Sequence, residues 1–411
     1  MKRYLIAGLL SACLSFAYAQ SPDHATIRDL AGKTVAPTLK TLQSLVEIES
    51  GSRDLAGLEK IRNLIENDLK KLGLTPEVIP SSAPDKTGSM VQAKLKGRGT
   101  SKIALIAHMD TVYQKGDLAK QPFRVDGDRA YGLAIADDKA GIAVILNTIA
   151  MLQALKIDSF GEITILINGD EEIGSPGSRD RIIQLGEQND LVISFEGSGI
   201  KNDYVRLATS SIARAQLTVK GRASHSGSNP DFGRNALYEM AHQILQMRDL
   251  SNPDKGLKLN WTQARAGTVP NMIPSEAVAT ADVRAEKMSD FDAVEQTMHE
   301  RIKNKLIPDT EVSLVLTRGR PALNPTDKGR AAAMQAREIA SEIGWKIDVL
   351  EKATGGGTDA AYAALKSKGA VIESFGLQGF GAHSDNAEYV LVSSIQPRLY
   401  MTTRMIQSFK P

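Results

Sequence analysis

Residues 102–110 read KIALIAHMD, and residues 162–175 read EITILINGDEEIGS. Each is an apolar run of strand length that ends in acidic or imidazole side chains. Between them, residues 139–155 (KAGIAVILNTIAMLQAL) read as a helix-like stretch. A third run, residues 190–195 (DLVISF), leads directly into Glu196-Gly197. Strands that alternate with helices predict an α/β sheet covered on both faces. Upstream, Leu58, Ile61, Ile65, Leu69 and Leu72 recur every three or four residues and Gly73 follows. That is the pattern of an amphipathic helix with a glycine stop.

Beyond residue 210 the pattern changes. Residues 213–220, 277–284 and 311–317 read as amphipathic strands, with helices near 235–247 and 290–305. Together they predict a compact β-α-β-β-α-β unit of the ferredoxin-like α+β kind. After Pro321 the α/β style resumes. A helix (331–343), the Gly355-Gly356-Gly357 loop, a helix (359–365) and a strand (370–375) follow in turn. The small unit therefore reads as an insertion. The expected division is 1–19, 20–209, 210–321 and 322–411, with the second and fourth segments forming one α/β domain.

The chain has 411 residues, 42% of them hydrophobic and 24% charged, which excludes collagen-like, low-complexity and disordered readings. Lys plus Arg is 50 against 48 for Asp plus Glu, so no basic field for nucleic acid is present. Residues 1–19 pair a Lys2-Arg3 start with an apolar stretch and an Ala17-Tyr18-Ala19 cleavage site. This predicts a removable export signal and a periplasmic or secreted protein. Leu10-Ser11-Ala12-Cys13 resembles a lipoprotein box, but apolar sequence continues past Cys13. Cys13 is the only cysteine, so cutting after Ala19 leaves no thiol for a disulfide or a metal. No later stretch approaches the length of a membrane span.

The chemistry gathers after the strands. His108-Met109-Asp110 places an imidazole and a carboxylate two residues apart, hence on one side of an extended chain. Asp137-Asp138-Lys139 opens a helix, Gly169-Asp170-Glu171-Glu172 ends a strand, and His383 lies in a glycine-rich loop. Taken singly, each fits a solvated turn or a helix cap. Their common placement is the stronger signal, because ligands of open α/β sheets bind beyond the carboxyl ends of the strands. Two imidazoles and several carboxylates suit zinc, and their number fits two ions sharing one bridging carboxylate. Such a pair activates water for attack on a carbonyl, with a carboxylate as general base. No G-x-S-x-G elbow, phosphate loop or H-E-x-x-H helix occurs.

These motifs lie in order with Gly221-Arg222-Ala223-Ser224-His225-Ser226-Gly227, Arg318-Gly319-Arg320-Pro321, Thr354–Tyr362 and His383-Ser384-Asp385. Together the chain resembles the di-zinc metallopeptidases of the aminoacylase and carboxypeptidase type, most nearly the bacterial glutamate carboxypeptidases. The resemblance implies that Asp137 bridges two zinc ions. It implies that His108 and Glu196 complete one site, and that Glu172 and His383 complete the other. Glu171 is implied as general base, Asp110 as the group that orients His108, and the Asp137–Asp138 peptide as cis. It further implies that the insertion is a lid and homodimer surface. His225 would stabilise the oxyanion in the partner subunit's site, and Asn271, Arg284, Gly356 and Arg320 would hold substrate, Arg320 at its free α-carboxylate.

One departure stands out. Glutamate-specific relatives carry a lysine where this chain has Tyr204, and Arg206 follows two residues later. Arg206 is therefore expected to supply the cation for an acidic side chain. The implied reaction is removal of a C-terminal residue, glutamate by this reading, from peptides, N-acyl amino acids or folate-like amides. The alternatives are an aminoacylase or dipeptidase with a neutral pocket, and a periplasmic binding protein without chemistry. No nucleic-acid partner is expected, and no membrane contact once the leader is cut.

Overall fold

The computed structural model describes residues 22–83, 85, 87–384 and 386–411. The expected leader, Cys13 and Asp385 lie outside these described residues. Six strands form the main sheet in the order Glu77–Ile79, Gly88–Lys96, Glu162–Gly169, Lys102–His108, Leu191–Ser194, Ala370–Ile372. The last four are mutually parallel, so their carboxyl ends share one edge. The first two pair antiparallel. The sheet is therefore mixed.

Side-chain alternation divides the strands between two cores. Ile103, Leu105, Ile163, Ile165, Ile167, Leu191 and Ile193 join one core together with the helices Ala140–Ala154 and Ile395–Ser408. Ala104, Ile106, Leu166 and Val192 face the other, against Ile182 and Leu185 of helix Arg179–Gln188 and the short helix Ala360–Ala364. Burial on both faces is why these strands read as continuous apolar runs. Helix Ala140–Ala154 is buried almost all round, as its sequence requires. Helix Leu55–Lys71 buries Leu58, Ile61, Ile65 and Leu69 and ends just before Gly73, whose φ is +72°. That left-handed conformation suits glycine.

A second sheet has the order Lys258–Ala266, Glu276–Ala285, Ser211–Lys220, Glu311–Arg318, and every pair in it is antiparallel. Helices Ala236–Gln246 and Asp290–Arg301 cover one face, packing Met240, Phe291 and Met298 on Leu217, Ala279 and Ala281. This is the ferredoxin-like β-α-β-β-α-β arrangement. Its strand Lys258–Ala266 has no counterpart in the sequence reading. It is an edge strand with mostly exposed side chains, so it carries no apolar alternation.

The chain enters and leaves this unit along adjacent segments. Ile212 N donates to Arg320 O and Gly319 N to Ile212 O, both at 2.9 Å. Ser210 N donates to Gly356 O at 2.8 Å. These bonds hold the insertion beside the 354–358 loop, at the mouth of the site described next.

Candidate metal centre

The carboxyl edge of the parallel strands delivers most of the site. His108 is the last residue of strand Lys102–His108, Glu171 and Glu172 follow strand Glu162–Gly169, and Glu196 follows strand Leu191–Ser194. Asp137 lies in the irregular turn ahead of helix Ala140–Ala154, and the Asp137–Asp138 peptide is cis. His383 arrives from the C-terminal loop with a positive φ of 64°.

Two triads result, His108-Asp137-Glu196 and Asp137-Glu172-His383, with the donor atoms of each within 4.8 Å of one another. Asp137 is common to both. Its Oδ1 lies 3.0 Å from His108 Nε2, and its Oδ2 lies 3.2 Å from His383 Nε2. Glu196 Oε1 is 3.6 Å from His108 Nε2, and Glu172 Oε2 is 3.1 Å from His383 Nε2. One oxygen of a shared carboxylate directed to each triad is what a bridging ligand requires. Glu172 Oε1 is buried and has no hydrogen-bond partner among the described residues, a second mark of a donor set made for a cation. Oxygen and nitrogen donors without thiolate fit divalent ions such as zinc.

His108 Nδ1 lies 3.0 Å from the carbonyl oxygen of Asp110. A proton held there leaves Nε2 free as a ligand atom. Asp110 does more than face His108. Its Oδ1 accepts from Glu171 N at 2.9 Å, and its Oδ2 from Glu172 N at 3.1 Å and Ser52 Oγ at 2.7 Å. One buried carboxylate thus locks the histidine strand to the Glu171-Glu172 turn.

The electrostatics are those of crowded, buried acids. Burial raises Glu172, and raises Glu196 well above the usual carboxylate range. Burial also pushes Glu171 up to about 8, against the opposing pull of Arg320 and His108. His383 is pushed up to about 10 by hydrogen bonds to Asp137 and Glu172. A divalent cation between these groups reverses such preferences by favouring the ionised acids and neutral imidazoles.

A cavity of about 550 Å³ opens over the triads, lined by Glu171, Ile212, Arg284, Arg320, Gly356 and Thr358 among others. Arg320 is only 4% exposed, and its position differs from that of a free carboxylate receptor. Its Nη1 holds the Glu171 carboxylate, and its Nη2 donates to Glu171 O at 2.7 Å and Ser175 Oγ at 3.2 Å. A buried guanidinium needs such a partner. Engaging a substrate carboxylate therefore requires Arg320 to exchange Glu171 for it.

Arg284 and Gly356 line the cavity, whereas Arg206 does not. Arg206 Nε lies 3.3 Å from the buried carboxylate of Glu373, and its other nitrogens donate to Thr354 Oγ1 at 2.6 Å and Tyr204 Oη at 3.0 Å. The charge expected to meet the substrate is thus largely neutralised within the protein. His225 and Asn271 also stand away from the cavity lining. His225 pairs with Met272 on a short ladder in the insertion, and at its end Ser226 N donates to Asn271 O at 3.0 Å. His225 Nδ1 accepts from Gly227 N and Ser228 N at 3.1 Å, which leaves Nε2–H pointing outward as a donor.

Two residues of the site escaped the sequence reading. Glu388 accepts from Ala134 N at 2.9 Å, Ala136 N at 2.8 Å and Asp137 N at 3.3 Å, and so shapes the turn that presents Asp137. Tyr113 Oη donates to Glu388 Oε2 at 2.5 Å and Ser384 O at 2.9 Å, tying the His383 loop to the same carboxylate. Only proximity in sequence to His108 and His383 hints at either.

An α/β sheet with an inserted ferredoxin-like unit, and two carboxylate–imidazole triads sharing one aspartate, define a metal-dependent hydrolase. Residues 104–408 match Peptidase family M20/M25/M40, and the chain belongs to that family. Carboxypeptidase G2 of Pseudomonas sp. (strain RS-16) is 45% identical over 406 residues, covering 98% of this chain and 97% of that protein. Among solved structures, a tripeptidase from Staphylococcus aureus is similar with a TM-score of 0.78 at 19% identity, covering 91% of this chain and 98% of that one. An M20 family metallo-carboxypeptidase from Sulfolobus solfataricus gives 0.74 at 15% identity, covering 90% and 98%. At these identities the structural likeness speaks for the fold alone.

Proposed function

We propose that the chain is a di-zinc exopeptidase that removes a C-terminal amino acid, glutamate above others, from a peptide, N-acyl or folate-like amide. The sharing of Asp137 between the two triads, with Glu171 in the same cavity, carries this reading. Asp137, His108 and Glu196 would hold one divalent cation, and Asp137, Glu172 and His383 would hold the other. A pair of divalent cations held there supplies Lewis acidity at the scissile carbonyl and acidifies water. Glu171 takes the proton of the attacking water on its carboxylate and returns it to the leaving amine. Asp110 keeps Glu171 and Glu172 in register through their backbone N–H groups.

The remaining roles fall to the lid and the cavity wall. Arg320, Arg284 and Gly356 hold the substrate from the cavity wall, Arg320 by a paired donor set suited to a carboxylate, and Asn271, beside His225, helps hold the partner subunit's substrate. His225 donates its Nε2–H to the oxyanion of the partner subunit's substrate. That role makes the enzyme a homodimer through the 210–321 insertion, with 20–209 and 322–411 as the catalytic part. Leu237, Tyr238 and Leu245 are exposed on the insertion's helix and favour such a surface. The 1–19 leader directs the protein to the periplasm or outside the cell. Among the described residues no helix is long and apolar enough to cross a membrane.

A second reading, an aminoacylase or dipeptidase with a neutral pocket, is favoured by one observation, the pairing of Arg206 with Glu373. Assaying the metal-loaded protein on N-acyl-glutamate, N-acyl-alanine, N-acyl-phenylalanine and folate-like amides decides between them. Faster cleavage of the glutamate substrates, with two zinc ions per chain by elemental analysis, is the expected result. Equal or faster cleavage of the neutral substrates selects the second reading.

A further inference from the structure

Arg320 and Arg284 line the cavity, Arg206 and Lys258 stand just outside its lining, and the four differ in what already neutralises them. Arg320 holds Glu171, Arg206 holds Glu373, and Arg284 meets both oxygens of Asp282 at 2.9 and 3.2 Å. Lys258 is different. Among the described residues its Nζ meets no carboxylate, and its one hydrogen bond goes to Thr354 O at 3.3 Å.

Lys258 stands directly opposite Arg284 in the ladder between strands Lys258–Ala266 and Glu276–Ala285. Opposite residues project from the same face of a sheet. Both side chains end on one loop, since Arg284 Nη1 donates to Gly355 O at 2.5 Å while Lys258 reaches Thr354. Arg206 Nη1 meets Thr354 Oγ1 on that loop as well. Three cations therefore converge on residues 354 and 355, with two carboxylates, Asp282 and Glu373, to balance them. Like charges placed opposite each other in a sheet cost stability, and an anion seated between them offsets that cost.

The loop leaves space for such an anion. A Cβ added at Gly356 would meet nothing within 4 Å, and one at Gly355 would lie 3.2 Å from Lys258 Nζ. Thr358 Oγ1, in the lining of the same cavity, is buried and has no hydrogen-bond partner among the described residues. It is a hydroxyl donor awaiting an acceptor.

We propose that Lys258 is a specificity-determining residue: with the 354–358 loop it forms a subsite for a second substrate carboxylate, that of an acidic C-terminal side chain. The assignment rests on the carboxypeptidase reading above and replaces Arg206 in the role of the pocket's unmatched cation. Lysine acts here as a flexible point charge rather than a paired donor, so its contribution enters through KM.

N-acyl-glutamate and N-acyl-glutamine differ in side-chain charge at nearly constant shape, and they serve as the probes. The metal-loaded full chain and its Lys258→Met and Lys258→Arg variants are assayed on both. Lys258→Met is expected to lower the glutamate-to-glutamine ratio of kcat/KM by about tenfold, chiefly through KM for the glutamate substrate. Lys258→Arg is expected to keep most of the ratio. A wild type that prefers glutamate and a Lys258→Met variant with the same ratio overturn the subsite while leaving the carboxypeptidase reading intact. A wild type that prefers glutamine overturns the subsite, and one that cleaves neither substrate overturns the reading beneath it.

Discussion

Glu171 lies beside two metal-type triads and belongs to neither. Without substrate its carboxylate is held by Arg320, and its backbone N–H is held by Asp110, so it is positioned without being a donor in either triad. Such a placement separates proton transfer from cation binding. Glu171→Gln keeps the shape and removes the proton acceptor. The expected result is a fall in kcat of roughly 10²–10⁴-fold, with metal content unchanged by elemental analysis. Loss of metal in step with activity would instead make Glu171 a ligand. The same scale explains why Asp110 matters beyond His108. Its two oxygens gather three donors from two separate segments, Ser52 and the Glu171-Glu172 turn.

Helix Ala140–Ala154 begins where the site needs it because its first turn has no side chain at Gly141. A Cβ there would lie 2.3 Å from Asp138 Oδ1 and 2.5 Å from the backbone oxygen of Phe195. Phe195 precedes the triad residue Glu196, and Asp138 follows Asp137, so this contact sets the distance between helix start and strand end. Gly141→Ala is expected to destabilise the fold by about 1–3 kcal/mol and to weaken metal retention, read by thermal unfolding and by metal content after dialysis. Wild-type stability together with full metal retention would show that the helix start can shift freely. Each of three strand ends adds one triad residue, and the helix start supplies Asp137, which the triads share.

Across the whole molecule, the chain is bent back so that its last hundred residues complete what its first two hundred begin. His383 and Glu388 reach Asp137 from the far end of the sequence, while the insertion carries His225 away from its own cavity. A histidine acting on the partner's substrate makes a clear prediction for mixed subunits. His225→Ala and Glu171→Gln homodimers are each expected to be nearly inactive. Dissociated and reassociated together, they pair an intact Glu171 with an intact His225 in one site of every mixed dimer. Activity is then expected to recover to about a quarter of wild type, as random pairing in a two-fold dimer dictates. No recovery would place His225 in its own subunit's reaction or outside it.

Much of this was legible before folding. The apolar runs at 102–107, 162–168 and 190–195 announce buried parallel strands because both of their faces must be covered. The acids and imidazoles behind them follow from the rule that α/β sheets bind at their carboxyl edge. The edge strand Lys258–Ala266 was hidden because an exposed strand needs no apolar period. Glu388 and Tyr113 were hidden because their partners lie more than 250 residues away. The sequence by itself determined which segments carry the acids and imidazoles that gather in the two triads, since local period and composition express burial. Only the tertiary structure decided which charges are matched: it seats Arg206 on Glu373 and Arg320 on Glu171 and, among the described residues, gives Lys258 no carboxylate, because ion pairing depends on distances that chain order does not encode.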